Sequence, residues 1–157
     1  MICKFAITDY FLKNKKGLKI LIPSKSSCNS SNCIYFITCL KCNIYYVGET
    51  SRNLSKRMTE HLNKIKYGIR RSNDKSKLEN FLSKCNDSYI LYKHFIFNHN
   101  INLDFKFQVF VKDFIFYRNR LETDLMIIFD TIYPNGLNTM NSYNLKSIEN
   151  YSAPPYK

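Results

Sequence analysis

Short runs of β-branched and aromatic residues in the first third of the chain predict strands at 34–39 and 44–50. The four residues between them, 40–43, are expected to form a hairpin turn. A third strand is predicted at 103–111, where alternate apolar side chains would lie on one face of a sheet. These side chains are Phe105, Phe107, Val109 and Val111.

Longer segments with helical spacing separate and follow the strands. Residues 51–53 offer capping side chains for a helix that runs to about residue 67. Its apolar stripe consists of Leu54, Met58, Leu62 and Ile65. Residues 78–98 are predicted to be helical in two pieces broken near Asn86 and Asp87. A long helical pattern at 114–132 must end before Pro134.

The remaining segments are polar or basic. Residues 1–32 are expected to be a basic and polar lead-in or linker, so that the core begins near residue 33. Residues 67–77 are expected to be a mobile basic loop, and 140–157 a polar, disordered tail. The length of 157 residues is typical of one domain and allows a hydrophobic core.

Charge narrows the class of partner. Lys and Arg number 24 against 12 Asp and Glu, which gives a formal charge of +12 spread along the chain. A polyanion is therefore the expected partner, although many lysines could simply form a solvated surface. No run approaches the roughly 18 apolar residues that would cross a bilayer, so no membrane partner is expected.

The cysteines bear on the compartment. The chain has six cysteines, and its first residues lack a secretory pattern. Reduced thiols are therefore expected, used for metal binding or core packing, in a protein that is nuclear or cytoplasmic and not secreted.

The hairpin turn sets which side chains share a face. With a four-residue turn, Tyr35, Ile37, Tyr46 and Gly48 would lie on the same face of the sheet. Gly48 would then leave space beside Tyr35 and let a ligand backbone approach. A slip of one residue would replace Tyr46 by Tyr45 on that face. Tyrosines in such strands are more often core aromatics than catalysts.

Three charged or titratable side chains are predicted to lean toward the core. Arg57 and His61 are four residues apart at the edge of the first apolar stripe, and Glu122 lies within the last one. A buried carboxylate needs a partner, and Mg²⁺ is commonly held by one or two carboxylates. The structural alternatives are a surface pair of Arg57 with Glu60 and an ion pair of Glu122 with Arg118.

These residues occur in an order that resembles the GIY-YIG nuclease domain. The matching elements are Cys33-Ile34-Tyr35, Tyr46-Val47-Gly48, Arg57, His61, Glu122 and Asn138. The resemblance covers 33–139 and implies an α+β fold with a small three-stranded antiparallel sheet flanked by helices. Cys33 stands where the first motif has glycine, and the stretch 68–87 is longer than a minimal domain requires.

Within the family, the resemblance is to the endonuclease domain of Penelope-like retroelements. It is carried by Cys39-x-x-Cys42 and by His94 and His99, which resemble the cysteine and histidine pairs of those domains. The spacing also suits tetrahedral Zn²⁺, if the helix unwinds near Asn98 to bring both imidazoles to the ion. Four protein ligands imply a structural ion. The alternative is a four-cysteine site that adds Cys28 and Cys33 to the first pair.

The resemblance implies a DNA endonuclease that depends on Mg²⁺ or Mn²⁺. Glu122 would hold the metal, Arg57 would clamp the phosphate, and Asn138 would orient the hydrogen bonds of the site. Tyr35 or Tyr46 would help to activate water, and His61 would relay the proton. Contacts with the DNA backbone are expected from Gly48 and from the basic loop, at Arg70, Arg71, Lys75 and Lys77.

Two other classes remain open at this point. One is a zinc-stabilised DNA-binding module that no longer cuts, and the other is an adaptor for RNA or protein. Retention of both Glu122 and Arg57 favours the nuclease. A reverse transcriptase region of the same element is a further expected partner, and the sequence does not determine the oligomeric state.

Overall fold

The computed structural model describes residues 10–13, 17, 19–22, 29–111 and 118–139. The strands are β1 (Tyr10–Lys13), β2 (Lys19–Ile22), β3 (Cys33–Cys39), β4 (Ile44–Thr50) and β5 (Phe105–Val111). The helices are α1 (Leu54–Arg70), α2 (Lys75–Ser83), α3 (Tyr89–Phe97), α4 (Ile101–Asp104) and α5 (Arg118–Ile128), with a 3₁₀ turn at Asn86–Ser88.

A three-stranded antiparallel sheet in the order β4-β3-β5 organises the domain. Strands β3 and β4 pair in the predicted register, with Cys39 opposite Ile44 and Tyr35 opposite Gly48. Strand β5 pairs with the other edge of β3, where an irregularity occurs between Ile34 and Tyr35. With helices packed on the sheet, the predicted α+β fold is confirmed.

Alternation along β3 and β4 divides the core into two layers. One layer contains Tyr35, Ile37 and Tyr46 together with buried side chains of α1, α2 and α3. The other contains Phe36, Tyr45 and Val47 with buried side chains of α5. Every residue of β3 is buried, because both faces of this central strand are covered by helices.

Helix α1 follows the hairpin directly and carries the side chains that matter most for the site. Its N-terminal cap is Asn53, whose side chain accepts a hydrogen bond from the backbone N–H of Ser55 at 3.0 Å. Leu54, Met58 and Ile65 are buried, as their spacing predicts. His61 is buried between them, so one stripe of this helix presents both apolar and polar groups to the sheet.

The segment after α5 protects the open edge of the sheet. The backbone N–H of Leu137 donates to the carbonyl of Tyr45 at 2.9 Å. Asn138 extends the pairing with its side chain, which accepts from the Val47 N–H and donates to the Val47 carbonyl, both at 2.8 Å. The amide thus substitutes for a strand partner along β4.

Several predictions of local structure were wrong. The predicted basic loop at 67–77 is largely helical, because α1 continues to Arg70 and α2 already begins after its Asp74 cap. Helix α5 ends at Ile128, four residues earlier than expected, and Asp130 follows it with a φ of 52°. In α5, Met126 is buried and Ile128 is exposed.

Other predictions concern the ends of the chain. Two strands, β1 and β2, pair into a separate antiparallel sheet within the region expected to be a lead-in. That sheet touches the domain where the Tyr45 hydroxyl donates to the Lys13 carbonyl at 3.0 Å. Residues 140–157, the expected tail, lie outside the described residues. Over the described part, no helix has the length and apolar character needed to cross a membrane.

Replacing Asn138 by alanine tests its structural role at the sheet edge. The buried N–H and carbonyl of Val47 would both lose their partners, at about 1–3 kcal/mol each. We expect the free energy of unfolding to fall by about 2–6 kcal/mol in denaturant titrations. Asn63→Ala, on the exposed face of α1, is the control and should stay within about 0.5 kcal/mol of wild type. A similarly small effect for Asn138→Ala would contradict this assignment.

Candidate active site and metal centre

His61 is held between two phenols in the core of the domain. The Tyr35 hydroxyl lies 2.8 Å from Nε2 of His61, and the Tyr92 hydroxyl lies 2.9 Å from Nδ1. All three side chains are fully buried. The β3 strand supplies Tyr35, α1 supplies His61 and α3 supplies Tyr92, so this network joins three elements that the sequence separates.

The direction of the hydrogen bonds follows from Arg57. Its Nε–H donates to the Tyr35 hydroxyl oxygen at 3.0 Å. The hydrogen of Tyr35 must therefore point to the other neighbour of that oxygen, Nε2 of His61. In the neutral imidazole the remaining proton then lies on Nδ1, which donates to Tyr92.

Burial and charge keep this imidazole neutral. Burial lowers the pKa of His61 to about 3, and the nearby cations Arg57 and Lys64 add to the effect. Burial also raises the pKa of Tyr35 well above its usual value of about 10. The buried network is thus uncharged at neutral pH, apart from the guanidinium that borders it.

The network continues to a third phenol, that of Tyr46. Tyr92 also hydrogen-bonds with Ser88, and the Ser88 Oγ lies 3.2 Å from the Tyr46 hydroxyl. Ser88 belongs to the 3₁₀ turn before α3. The chain of contacts therefore runs from Arg57 through Tyr35, His61, Tyr92 and Ser88 to Tyr46.

Arg57 is positioned from its other side by an acidic residue. Its Nη1 lies 3.3 Å from Oε2 of Glu60, which also binds Arg52 through two contacts of 2.6 and 2.8 Å. This pair was predicted as the structural alternative for Arg57, and it is present together with the contact to Tyr35. Glu60 thus orients a guanidinium that faces the cavity described next.

A cavity of about 310 Å³ brings several of the predicted site residues together. Tyr46, Arg57, Glu122 and Asn138 all line it. Glu122 is half-buried on α5, and Arg57 belongs to α1. The lining also includes Glu49, Lys64, Lys84, Cys85, Asn86, Ser88, Met126 and Thr139. The cavity is therefore strongly polar and contains both carboxylates and cations.

Other predicted residues lie elsewhere. The space expected beside Gly48 is filled, because a Cβ there would lie 2.6 Å from the Tyr35 hydroxyl and 2.8 Å from the Tyr46 ring. Glycine is needed for this close packing and does not open a ligand site. The four basic residues assigned to DNA contact do not line the cavity: Arg70, Arg71, Lys75 and Lys77.

The cysteine and histidine pairs meet at the turn of the hairpin. The ligand atoms of Cys39, Cys42, His94 and His99 all lie within 4.8 Å of one another, so they could hold a metal. In a tetrahedral Zn²⁺ site, neighbouring ligand atoms lie about 3.3–3.8 Å from one another, given bonds of roughly 2.3 Å to sulfur and 2.0 Å to nitrogen. Helix α3 ends at Phe97, which lets both imidazoles face the thiols, as predicted.

The donor atoms themselves fit a metal. The Nε2 atom of His94 is buried and has no hydrogen-bond partner among the described residues. Burial lowers the pKa of His94 to about 4, and His99 adds to the effect, so His94 is neutral and can donate a lone pair. Burial raises the pKa of the Cys39 thiol, and thiolate ligation would offset that effect.

Asp104 lies beside the second histidine. Its carboxylate lies 3.5 Å from Nδ1 of His99, whose Nε2 lies 3.2 Å from the Cys42 sulfur. Its backbone carbonyl accepts from the N–H of Leu40 in the turn at 2.7 Å. His99 Nδ1 makes no hydrogen bond among the described residues, so Asp104 lies near this imidazole as a charge and does not orient it through a hydrogen bond.

The four-cysteine alternative does not agree with the structure. Cys33 and Cys39 are at opposite ends of β3, six residues apart, which corresponds to about 20 Å along a strand. Cys33 is therefore too far away to share an ion with the turn cysteines. Cys28 lies outside the described residues.

Sequence reasoning missed several residues of the site. Ser88 and Tyr92 complete the buried network, Lys64 and Lys84 line the cavity, and Asp104 lies 3.5 Å from His99. Lys64 could have been found, since it is seven residues after Arg57 and shares its helical face. The others depend on how α2 and α3 pack, for which the sequence contains no local signal.

The architecture defines a small α+β domain with a buried Tyr-His-Tyr network beside a polar cavity. The model of the GIY-YIG catalytic domain family matches residues 31–100, so this segment is similar to that domain. The match spans β3, β4 and helices α1 to α3, and it ends before Glu122 and Asn138. Comparisons with curated proteins and with solved structures give no match.

The depressed pKa of His61 predicts how stability depends on pH. The unfolded chain binds a proton at His61 near pH 6.5, whereas the folded protein does not until about pH 3. Stability contributed by neutral His61 is therefore lost as pH falls below 6.5, by at most about 1.4 kcal/mol per pH unit. In denaturant titrations from pH 6.5 to 4, wild type should lose stability more steeply than His61→Gln. Parallel curves would refute a neutral, buried His61.

Proposed function

We propose that the protein is a DNA endonuclease that hydrolyses phosphodiester bonds with the help of a divalent cation. The observation that carries this proposal is the convergence of Glu122, Arg57 and Tyr46 on one polar cavity. GIY-YIG catalytic domains are nucleases, and the match over residues 31–100 supports the same class for this chain. The charge of +12 agrees with a polyanionic substrate.

Arg57 is proposed to bind the scissile phosphate. Tyr35 and Glu60 fix its Nε and Nη1 atoms from two sides, so the guanidinium is held in place before substrate arrives. A preorganised cation of this kind stabilises the charge that develops on phosphate oxygens. Asn138 is proposed to act indirectly, because it holds the backbone of Val47 next to Tyr46.

Of the two tyrosines, Tyr46 is proposed to contact the attacking water. Tyr46 lines the cavity, whereas Tyr35 donates its hydrogen into the core toward His61. The Ser88 Oγ lies 3.2 Å from the Tyr46 hydroxyl and orients it, while the phenol proton that Tyr46 must lose before it can act as a base passes to solvent in the cavity. His61, with a pKa of about 3, holds a proton poorly, so we assign it the role of positioning the phenols.

Glu122 is the proposed ligand for Mg²⁺ or Mn²⁺. Its half-buried carboxylate lines the same cavity as Arg57, which suits a cation held by one or two carboxylates and the substrate. A bound divalent ion supplies charge compensation at the reacting phosphate. The protein's own part is to hold that carboxylate and Arg57 in one cavity.

Cleavage of supercoiled plasmid tests the nuclease directly. Purified protein with Mg²⁺ should nick or linearise the plasmid, and Glu122→Gln and Arg57→Gln should each lower the rate at least about 100-fold. Tyr46→Phe should lower it by a similar factor if it contributes general base catalysis. The rates are measured from time courses on agarose gels.

Glu79→Gln is the matched control for this experiment. Glu79 is exposed on α2 and lies outside the cavity, so its neutralisation should leave the cleavage rate unchanged. Plasmid that is bound but never cut, with Mg²⁺ and with Mn²⁺, would replace the nuclease by a DNA-binding module that lacks catalytic activity.

The cysteine and histidine set is proposed to hold a structural Zn²⁺. The site joins the turn of the hairpin to the end of α3, and all four positions around the ion would be taken by protein. No open position would remain for substrate, which separates this ion from the one proposed at Glu122. Because its ligands must be deprotonated, zinc affinity should fall on acidification.

Zinc removal should destabilise the domain. An ion present at about 1,000 times its dissociation constant contributes about 4 kcal/mol, which corresponds to roughly 8–16 °C in unfolding temperature for a domain of this size. We expect a strong chelator to lower the unfolding temperature by that amount in circular dichroism melts. Elemental analysis should find one zinc per chain in wild type and in Cys85→Ser, but none in Cys42→Ser. Unchanged melting after verified removal of the ion would exclude a structural role.

The combination of this zinc site with the phenol pair leads us to propose kinship with the endonuclease domains of Penelope-like retroelements. The support is the arrangement of Cys39, Cys42, His94 and His99 within the same domain as Tyr35 and Tyr46. Nicking of target DNA for integration, in the nucleus or cytoplasm, would then be the activity. A reverse transcriptase region of the same element would be the partner.

A further inference from the structure

Three cationic side chains line the cavity, and they differ in whether an acidic side chain forms an ion pair with them. Arg57 shares Glu60 with Arg52. Lys64 and Lys84 form no ion pair among the residues that the structure describes. Both lysine side chains are exposed at the rim of the cavity. They are therefore the cations of this site that are most accessible to an anionic ligand.

Lys64 is placed in line with Arg57. Seven residues of α-helix separate the two, so they project from the same face and are about 10 Å apart along the axis. The ammonium of Lys64 lies 5.6 Å from the centre of the Tyr92 ring. Ten ångströms is about the axial rise of three nucleotides in one strand of a duplex, at roughly 3.4 Å each.

Lys84 approaches the cavity from a different element. It is the C-terminal cap of α2, and its backbone N–H donates to the carbonyl of Phe81 at 3.2 Å. The next residues, Cys85, Asn86 and Ser88, line the same wall of the cavity. The connection from α2 to α3 thus adds a cation to the cavity that Arg57 and Lys64 also line.

We propose that Lys64 and Lys84 form a second phosphate-binding subsite, in which each lysine contacts a backbone phosphate of the DNA strand about three nucleotides from the scissile one. This proposal rests on the nuclease function proposed above. It adds the path of the DNA strand, which would run from Arg57 along α1 toward the connection between α2 and α3. Such contacts position the backbone and read no sequence.

The basic corner between α1 and α2 is less suited to this role. Arg70 is thirteen residues after Arg57, about 20 Å along the helix. At this corner, Lys77 pairs with Asp74 at 2.8 Å, and the Arg71 guanidinium stacks on the Tyr67 ring at 3.6 Å. This corner could meet DNA only well away from the reacting phosphate.

The salt dependence of DNA binding tests the subsite. Binding of a labelled duplex is measured by fluorescence anisotropy across a range of salt concentrations, with Glu122→Gln as the reference protein and no Mg²⁺, so that no cleavage occurs. A plot of log affinity against log salt concentration has a negative slope. Each lost phosphate contact should reduce the magnitude of that slope by about 0.9. Adding Lys64→Gln and Lys84→Gln together should therefore lower it by about 1.8.

The matched control removes the same charge from other exposed positions. Lys66 lies on the opposite face of α1 from Lys64. Lys93 lies 5.5 Å from the Tyr89 ring centre, a contact like that of Lys64 with Tyr92. Lys66→Gln with Lys93→Gln should change the slope by clearly less than the cavity pair.

The outcomes separate this proposal from the nuclease itself. Equal slopes for the cavity pair and the control pair would overturn the subsite, even if wild type cuts plasmid. A reduced salt dependence that occurs only in the cavity pair would support the subsite, even if wild type cleaves plasmid with none of the metals tested. Failure of the reference protein to bind duplex at low salt would also overturn it, and the plasmid assay of wild type would then decide the nuclease separately.

Discussion

The register between β3 and β4 is the constraint on which both sites depend. Pairing Cys39 with Ile44 leaves a four-residue turn and places Tyr35, Ile37 and Tyr46 on one face. The same turn holds Cys42 next to His99. A shift by one residue would reverse the face of every side chain in β4, so Tyr46 would leave the cavity and the thiols would separate. Burial of both faces of β3 makes such a shift costly, because apolar and polar groups would exchange environments.

Electrostatic organisation follows from where water is excluded. Inside the domain, His61 is uncharged because burial and two nearby cations oppose its protonation, and both of its nitrogens have phenol partners. The cavity beside it is polar and contains Glu122 together with Arg57. The uncharged network around His61 therefore borders the charged lining of the cavity. Arg57 belongs to both, because it contacts Tyr35 and lines the cavity. This arrangement lets a cation be positioned by buried groups while its charge remains directed at a ligand.

Much of the fold was predictable because its signals are local. The hairpin, the start of α1 at its Asn53 cap, the break near Asn86 and the apolar face of β5 follow from period, capping and turn residues. The errors occurred where long-range packing decides. Residues 67–77 appeared to be a basic loop, yet Leu78 and Gly68 are buried against other helices, which extends the helical structure on both sides of a short turn. Gly48 suggested open space, but the Tyr35 ring fills it.

The sequence by itself determined the order of the elements, the register of the hairpin and the residue types available for phosphate and metal chemistry, because period and spacing are properties of neighbouring residues. The tertiary structure alone decided which of these residues meet. Ser88 and Tyr92 joined the buried network, Lys64 and Lys84 reached the cavity, and Cys33 was separated from the metal ligands at the far end of β3. The physical reason is that such contacts depend on how α2, α3 and α5 pack on the sheet, and packing is the sum of many distant contacts that no short segment encodes.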